Sequence, residues 1–392
     1  MKTLIELYDE RPLENVLSTE MFRPERTVFL CPQEVAQDRK RQEKLRAYLH
    51  HRGIETELVF VESSRYSAMK LKKSLQKIAE TYPDCVLDIT GGSDSALFAG
   101  GLVSAELGLP AFTYSRKKNR FFNIYNAPFE DGTECTLSYG VEDCFLMAGG
   151  AVRRGRVDNA VLKNYMTLID PFFSLYLVHR RDWNRIVNYI QRVSQLPPEV
   201  PLTLHVDGAY TVKGERGSRI SAPDAALVGL EKIGMLKNLT IKRGEHVSFD
   251  FTDAQIRTWL RDIGSVLELY IYKACLDTDI FQDVRTSVIV DWEGDFQRDN
   301  VTNEIDVMAT RGIVPVLISC KTCDVSTEAL NELAILRDRF GGALSHAVIV
   351  TAERCRAITR HRAIELGIDV IDLDDLKSRK IKQQLVSLMD RK

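Results

Sequence analysis

Cys85-Val86-Leu87-Asp88-Ile89-Thr90-Gly91-Gly92-Ser93-Asp94-Ser95 is the stretch on which the reading of this chain turns. A short, largely apolar run ending at a Gly-Gly breaker has the pattern of a buried strand that stops at a tight turn. Working back, Glu57 to Val61 is a second such run, and it leads into the Lys-rich amphipathic segment Ala68 to Tyr82. Before it, Thr27 to Cys31 ends at Pro32 and is followed by the helically spaced segment Glu34 to His51, which stops at Gly53. Working forward, Pro110 to Tyr114 continues the alternation before the polar stretch Ser115 to Asn119, and a hairpin-like region extends to about Asp143. Strand and helix alternating at this period predict an α/β fold with a parallel sheet covered on both faces. Ligands of such sheets settle beyond the carboxyl ends of the strands, where Thr90 to Ser95 lies.

The chain has 392 residues, of which 44% are hydrophobic and 28% charged, too many for one ordinary core and enough for three domains. Fifty-three Lys and Arg oppose fifty-five Asp and Glu, a net charge of -2, so any contact with nucleic acid must come from a local basic surface. No apolar window reaches membrane-spanning length and the first residues lack a secretory pattern, so the expectation is a soluble, cytoplasmic protein. Eight cysteines are scattered, and Cys320 with Cys323 has no second Cys or His pair at zinc-finger spacing. They read as reduced thiols.

From 155 to 250 the pattern turns helical, with Asn164 to Leu177 and Trp183 to Gln195 ahead of a break at Leu196-Pro197-Pro198. Ala225 to Leu236 then reads as a helix leading into two alternating strands between Leu239 and Phe249, an arrangement like a winged helix-turn-helix. In a middle position such a segment serves as a spacer or dimer contact at least as often as it reads DNA. From 251 on, Asp253 is a plausible N-cap for a long helical pattern through Trp259, Leu269 and Ala274. Strand-like runs follow at Ser287 to Trp292, Glu304 to Ala309 and Val314 to Cys320, then a helix from Thr327 to Phe340, the strand His346 to Val350, and a further helix and strand. That order is nuclease-like. The expected domains are therefore 1–154, 155–250 and 251–392.

The richest chemistry lies in the third region. Asn303-Glu304-Ile305-Asp306-Val307 is followed, after a short interval, by Ser319-Cys320-Lys321-Thr322, and Glu268 sits on the preceding helix. Alternate side chains of a strand share a face, which predicts that Glu304 and Asp306 project together, as do Ser319 and Lys321. Acids and a lysine at the ends of adjacent strands can hold a hard divalent ion, orient a water toward phosphorus and stabilise the transferring phosphate. Taken singly, such residues are more often solvated surface groups; their convergence on the apolar frame of Ile305, Val307, Val316, Leu317 and Ile318 favours function.

This arrangement, after a helix carrying Leu267-Glu268-Leu269-Tyr270, resembles the PD-(D/E)xK nuclease superfamily. The opening Ile5 to Asn15, the later Arg23-Pro24-Glu25 and the Leu87 to Gly92 segment resemble the CARF domain of single-chain nucleases of type III CRISPR defence. The resemblance implies a Rossmann-like CARF domain, a helical or winged-helix-like middle and a restriction-endonuclease-like C-terminal domain. It implies a homodimer that binds a cyclic oligoadenylate, usually the tetra-adenylate, between its CARF domains and cleaves DNA, RNA or both with Mn2+ or Mg2+. Carried over by position, Asp306 and Lys321 match the motif's acid and lysine, and Glu268 the helix acid; the motif's second acid falls on Ser319. A hydroxyl is a weaker ligand for a hard cation, which leaves Glu268, Asp306 and the main-chain carbonyl of Cys320 as the metal shell, with Glu304 a candidate replacement for the missing acid. The ligand contacts implied are Pro32, Gln33, Thr90, Gly91, Gly92, Ser93, Asp94 and Lys117, the last in a basic cluster, Arg116 to Arg120, that equally serves as a solvated loop.

Two rivals stand beside this reading. Thr90-Gly91-Gly92-Ser93-Asp94-Ser95 also looks like the phosphate loop of ATP pyrophosphatases, in which backbone amides before a helix cradle phosphate. That loop normally follows the first strand of its domain, and it leaves residues 250 to 392 unexplained. The missing second acid alternatively fits a non-catalytic cyclic-nucleotide sensor with a degenerate nuclease domain.

Overall fold

The computed structural model describes residues 1–153, 159–196, 203–214, 217–297 and 299–390. The break at Pro197-Pro198 and the first residues of the expected middle segment lie outside these.

The N-terminal sheet is built from β1 (Thr3–Leu7), β2 (Arg26–Cys31), β3 (Glu57–Glu62), β4 (Cys85–Asp88), β5 (Ala111–Ser115), β6 (Arg120–Tyr125) and β7 (Thr133–Glu134). Its order is β3-β2-β1-β4-β5-β6-β7, parallel from β3 to β5 and antiparallel beyond. The sequence reading began the alternation at Thr27 and missed β1, whose run Thr-Leu-Ile-Glu-Leu is only five residues long and contains an acid. All five of its residues are buried, because it lies inside the sheet between β2 and β4. With β1 in place, the order reverses between β1 and β4, so the Gly91-Gly92 turn after β4 stands at the switch point of the sheet.

The next strand, β8 (Ala151–Arg153), leaves this sheet and joins the edge of the C-terminal one. The middle of the chain contributes β9 (His205–Ala209), the hairpin β10 (Thr211–Lys213) and β11 (Arg219–Ser221), and the antiparallel pair β12 (Leu236–Lys242) and β13 (His246–Phe251). Helix Asp224–Lys232 runs into β12, so the expected helix-then-hairpin is present. The helix ends before Leu236 because Gly234 takes a left-handed turn, φ 82°.

The C-terminal sheet comprises β14 (Asp283–Asp291), β15 (Thr302–Arg311), β16 (Val314–Lys321), β17 (His346–Thr351) and β18 (Ile368–Ile371), in the order β18-β17-β16-β15-β14-β8. Its first three strands pair antiparallel, and β16 to β18 parallel. Three long helical patterns are each divided. Gln33–Ala36 and Arg39–His51 part where Asp38 accepts the Arg41 N–H at 3.0 Å, and Thr327–Leu336 passes into a wide turn, Arg337–Gly341. Ala254–Leu260 and Ser265–Leu276 are separated at Gly264, with Asp253 capping the first as expected, its carboxylate accepting the Ile256 N–H at 2.9 Å.

The C-terminal sheet is packed on both faces. One core joins Val307, Val316, Ile318 and Val350 to Phe172, Trp183, Phe249 and helix Ser265–Leu276. The other joins Val288, Leu317, Ile349 and Phe340 to Leu4, Val86, Phe112 and Phe121 of the N-terminal sheet. The opposite face of the N-terminal sheet buries Ile5, Leu7, Val28 and Leu87 against helices Ala68–Thr81 and Asp94–Leu107. Burial of these apolar surfaces, at about 25 cal/mol per Å², is what holds the layers together. The eight cysteines are free thiols.

Candidate functional site

At the switch point, the turn after β4 is held by the strand ends around it. The Gly92 N–H donates to Asp9 Oδ2 at 2.9 Å, and the Thr90 N–H to Asp88 Oδ1 at 2.6 Å. The Thr90 hydroxyl accepts the Tyr114 N–H of β5 at 2.8 Å. Ser93 caps helix Asp94–Leu107, its hydroxyl accepting the Ala96 N–H at 3.3 Å. Both glycines answer to neighbouring side chains of this chain. A Cβ on Gly91 would meet Cβ of Glu14 at 2.9 Å; one on Gly92, whose φ is 101°, would meet Cβ of Leu7 at 2.7 Å.

A cavity of about 180 Å³ opens beside this turn, lined by Tyr8, Glu10, Pro32, Arg65, Gly92 and Ser93 among others. A separate cavity of about 330 Å³ shares Tyr8 and Glu10 with it, and there Arg41 and Lys44 face Glu293 and Arg339 of the C-terminal part. Pro32, Gly92 and Ser93 of the sequence-derived ligand residues thus line one cavity. Gln33 and Asp94 are exposed at helix starts beside it, and Lys117 is exposed in the turn after β5. Tyr8, Asp9, Glu10 and Arg65 were missed; recognising Thr3 to Leu7 as a strand was the signal for the first three, since its carboxyl end adjoins that of β4. Arg116, from the basic cluster, is ion-paired with the buried Glu14. Burial pushes the Asp9 carboxyl up, but donors from Arg11 and Gly92 outweigh it and hold Asp9 below its ordinary value.

The second constellation forms where β15 and β16 part. Their pairing stops at Val307 opposite Ile318, and beyond it the Asp306 side chain takes the place of the ladder. Asp306 Oδ2 accepts the Cys320 N–H at 2.6 Å and the Ser319 hydroxyl at 3.2 Å, and Lys321 Nζ lies 4.0 Å away. Glu268 arrives from the first turn of helix Ser265–Leu276, its Oε1 lying 2.6 Å from where a Cβ on Gly264 would stand. Burial, then the charges of Asp306, Asp262 and Glu304, push the Glu268 carboxyl from 4.5 up to about 8, against a lowering by Lys321. Asp306 is likewise raised, by burial foremost, while Lys321 lowers it.

The structure therefore brings Asp306, Ser319, Cys320 and Lys321 together where β15 and β16 part, with Glu268 on the helix that packs against these strands and Glu304 exposed two residues before Asp306. Glu268 and Asp306, carboxylates of limited exposure, and the Lys321 ammonium are residue types whose chemistry suits a hard cation. Among the described residues no three His, Cys, Asp or Glu side chains stand at ligating distance from a common point.

Fold and sites together define a class: a Rossmann-like domain with a pocket at its switch point, joined to a restriction-endonuclease-like sheet that carries an acid-and-lysine fork. Residues 257–389 match the family model described as Card1-like, endonuclease domain. Two solved structures share the whole fold. Protein VC1899 from Vibrio cholerae is 18% identical with a TM-score of 0.75, the match covering 99% of this chain and 98% of that one. Can2 from Sulfobacillus thermosulfidooxidans, solved in complex with cyclic tetra-adenylate, is 16% identical with a TM-score of 0.70, covering 99% and 97%. No curated protein matches the sequence significantly.

Proposed function

We propose that this chain is a cyclic-oligoadenylate-activated, divalent-metal-dependent endonuclease of type III CRISPR defence, cleaving DNA, RNA or both. The carrying observation is the fork at Asp306 within a Card1-like endonuclease domain, on a chain that also presents a switch-point pocket. In this reading residues 1–154 sense the messenger, 155–250 are a spacer, and 251–392 form a PD-(D/E)xK nuclease. No helix among the described residues is long and apolar enough to cross a membrane, in keeping with a cytoplasmic enzyme.

Glu268, Asp306 and the Cys320 carbonyl hold Mn2+ or Mg2+, which when bound supplies a Lewis acid for the phosphoryl oxygen and a more acidic water. Lys321 places its ammonium beside the scissile phosphate, where charge develops in the transition state. Ser319 and the Cys320 N–H fix the rotamer of Asp306, so the acid is set before substrate arrives.

The pocket of about 180 Å³ falls below the ~300–1,000 Å³ usual even for drug-sized ligands. A cyclic tetra-adenylate is larger still, so one subunit supplies part of its wall. A homodimer with the ligand on its two-fold axis presents the Gly91-Gly92 turn and Ser93 twice to a ligand that shares that symmetry.

The test is incubation with DNA and RNA in Mn2+ or Mg2+, with and without cyclic tetra-adenylate, while ATP hydrolysis is followed in parallel. Cleavage that depends on both metal and messenger supports the reading. Pyrophosphate release points to the phosphate-loop enzyme, and messenger binding with no cleavage to a degenerate sensor.

A further inference from the structure

The two cores of the C-terminal sheet lie on opposite faces, as β16 and β17 show. Val316 and Ile318 enter one while Leu317 enters the other, and Val348 and Val350 likewise oppose Ala347 and Ile349. Strands β14 and β15 break this alternation. Val284 and Val307 pack into the core that holds helix Ser265–Leu276, whereas Val288, Val290 and Ile305 pack into the opposite one. Residues an even number apart share a face in a regular strand, so both strands must turn over, β14 between 284 and 288 and β15 between 305 and 307.

The point of inversion is Ser287. By register it stands opposite Asp306, since Thr286 pairs with Val307 and Val288 with Ile305, and the pairing skips these two residues alone. Its φ is 53°, the left-handed region, inside a strand, and it is 3% exposed. Such a conformation costs a non-glycine residue on the order of 1 kcal/mol, and glycine would adopt it freely. The hydroxyl is what serine adds, and it donates to Glu304 Oε1. Thr286 fills the gap in the ladder, its hydroxyl donating to the Asp306 carbonyl at 2.8 Å.

The inversion has a consequence for the fork. Ile305 faces the far core, so Glu304 faces the side of helix Ser265–Leu276, where Glu268 stands. Glu304 is exposed on that side and is held there by the Ser287 hydroxyl. Without the turn at Ser287, strict alternation from Val307 would send Glu304 to the opposite face. We propose that Ser287 is a positioning residue that turns Glu304 into the metal site and holds it there, replacing the carboxylate that the chain lacks at Ser319.

This inference rests on the metal-dependent nuclease reading above, and one experiment separates the two. Isothermal titration with Mn2+, without nucleic acid or messenger, is made on the full chain and on the variants Asp306→Asn, Glu304→Gln, Ser287→Gly and the double Ser287→Gly/Glu304→Gln. Glycine keeps the left-handed backbone and deletes only the hydroxyl, so thermal denaturation should show a melting point close to the parent's. Outer-shell partners of metal ligands typically contribute about 10–100-fold in affinity. Ser287→Gly should weaken Mn2+ binding about tenfold, Glu304→Gln by at least as much, and the double variant no more than Glu304→Gln alone. Unchanged affinity in Ser287→Gly or in Glu304→Gln, with Asp306→Asn still impaired, overturns the positioning role and leaves the nuclease reading standing. Independent, multiplying losses in the double variant overturn it too. A parent chain that binds no Mn2+ overturns both.

Discussion

The carboxylate of Asp9 accepts the main-chain N–H of Gly92 at 2.9 Å, so the segment after β1 buttresses the turn after β4. Asp9 is at the same time bound by Arg11 through its side chain, at 3.0 and 3.1 Å. A hydrogen bond to a charged acceptor contributes about 1.5–3 kcal/mol. Replacing Asp9 with Ala should therefore weaken messenger binding by about tenfold or more, because the turn loses its brace, while Mn2+ affinity stays at the parent value. Calorimetry with cyclic tetra-adenylate and with Mn2+ checks the two halves separately.

At the fork the dependence is reversed. Asp306→Asn removes the metal-binding charge that the Cys320 N–H and Ser319 hydroxyl orient, and it should reduce cleavage by at least about 100-fold with messenger affinity intact. Lys321→Ala should act likewise through the lost ammonium. Comparable turnover in Asp306→Asn would remove that residue from the site.

The raised carboxyl of Glu268 gives a pH signature. A carboxyl lifted on folding, here from 4.5 to about 8, contributes stability that is fully present below its ordinary value and lost as pH rises through about 8. The metal-free chain should thus lose thermal stability over that interval, and Glu268→Gln should flatten the loss. Because metal and proton compete for the same carboxylate, Mn2+ affinity should climb across the same window. Melting curves and titrations at half-unit steps of pH test both slopes.

Gating is best probed at Ser93. Its side chain is exposed and the residue lines the pocket, whereas the Thr90 hydroxyl is committed to Tyr114 of β5 and its loss would disturb the sheet. Ser93→Trp should weaken activation at limiting messenger and leave cleavage at high metal concentration without messenger unchanged. A proportional loss of both activities would mean that the turn supports the chemistry directly, and the two-site scheme would have to be abandoned.

A homodimer in solution, by multi-angle light scattering with and without cyclic tetra-adenylate, is expected from a pocket that encloses only part of such a ligand. A monomer in both conditions would contradict it.

Local periodicity and residue chemistry were enough to find most strands, the Gly91-Gly92 turn and the spacing from Asp306 to Lys321, because period, breakers and charges are properties of neighbouring residues. The helix from Ser265 and its acid were visible too, but not the interruption at Gly264. Pairing between distant segments lay beyond such reasoning. β1 is short and carries an acid, so nothing local marks it as an interior strand; only its neighbours β2 and β4 do, and with them Tyr8, Asp9 and Glu10 become pocket residues. Ser287 is the sharper case. The strand-like run in the sequence begins at Ser287, yet β14 begins at Asp283 and a single left-handed φ of 53° at Ser287 inverts its faces, with β15 turning over opposite it, and carries Glu304 to the side of Glu268. Alternation is a local rule, and it fails where contacts across the sheet, here Ser287 with Glu304 and Thr286 with Asp306, hold one residue in a conformation its own side chain disfavours.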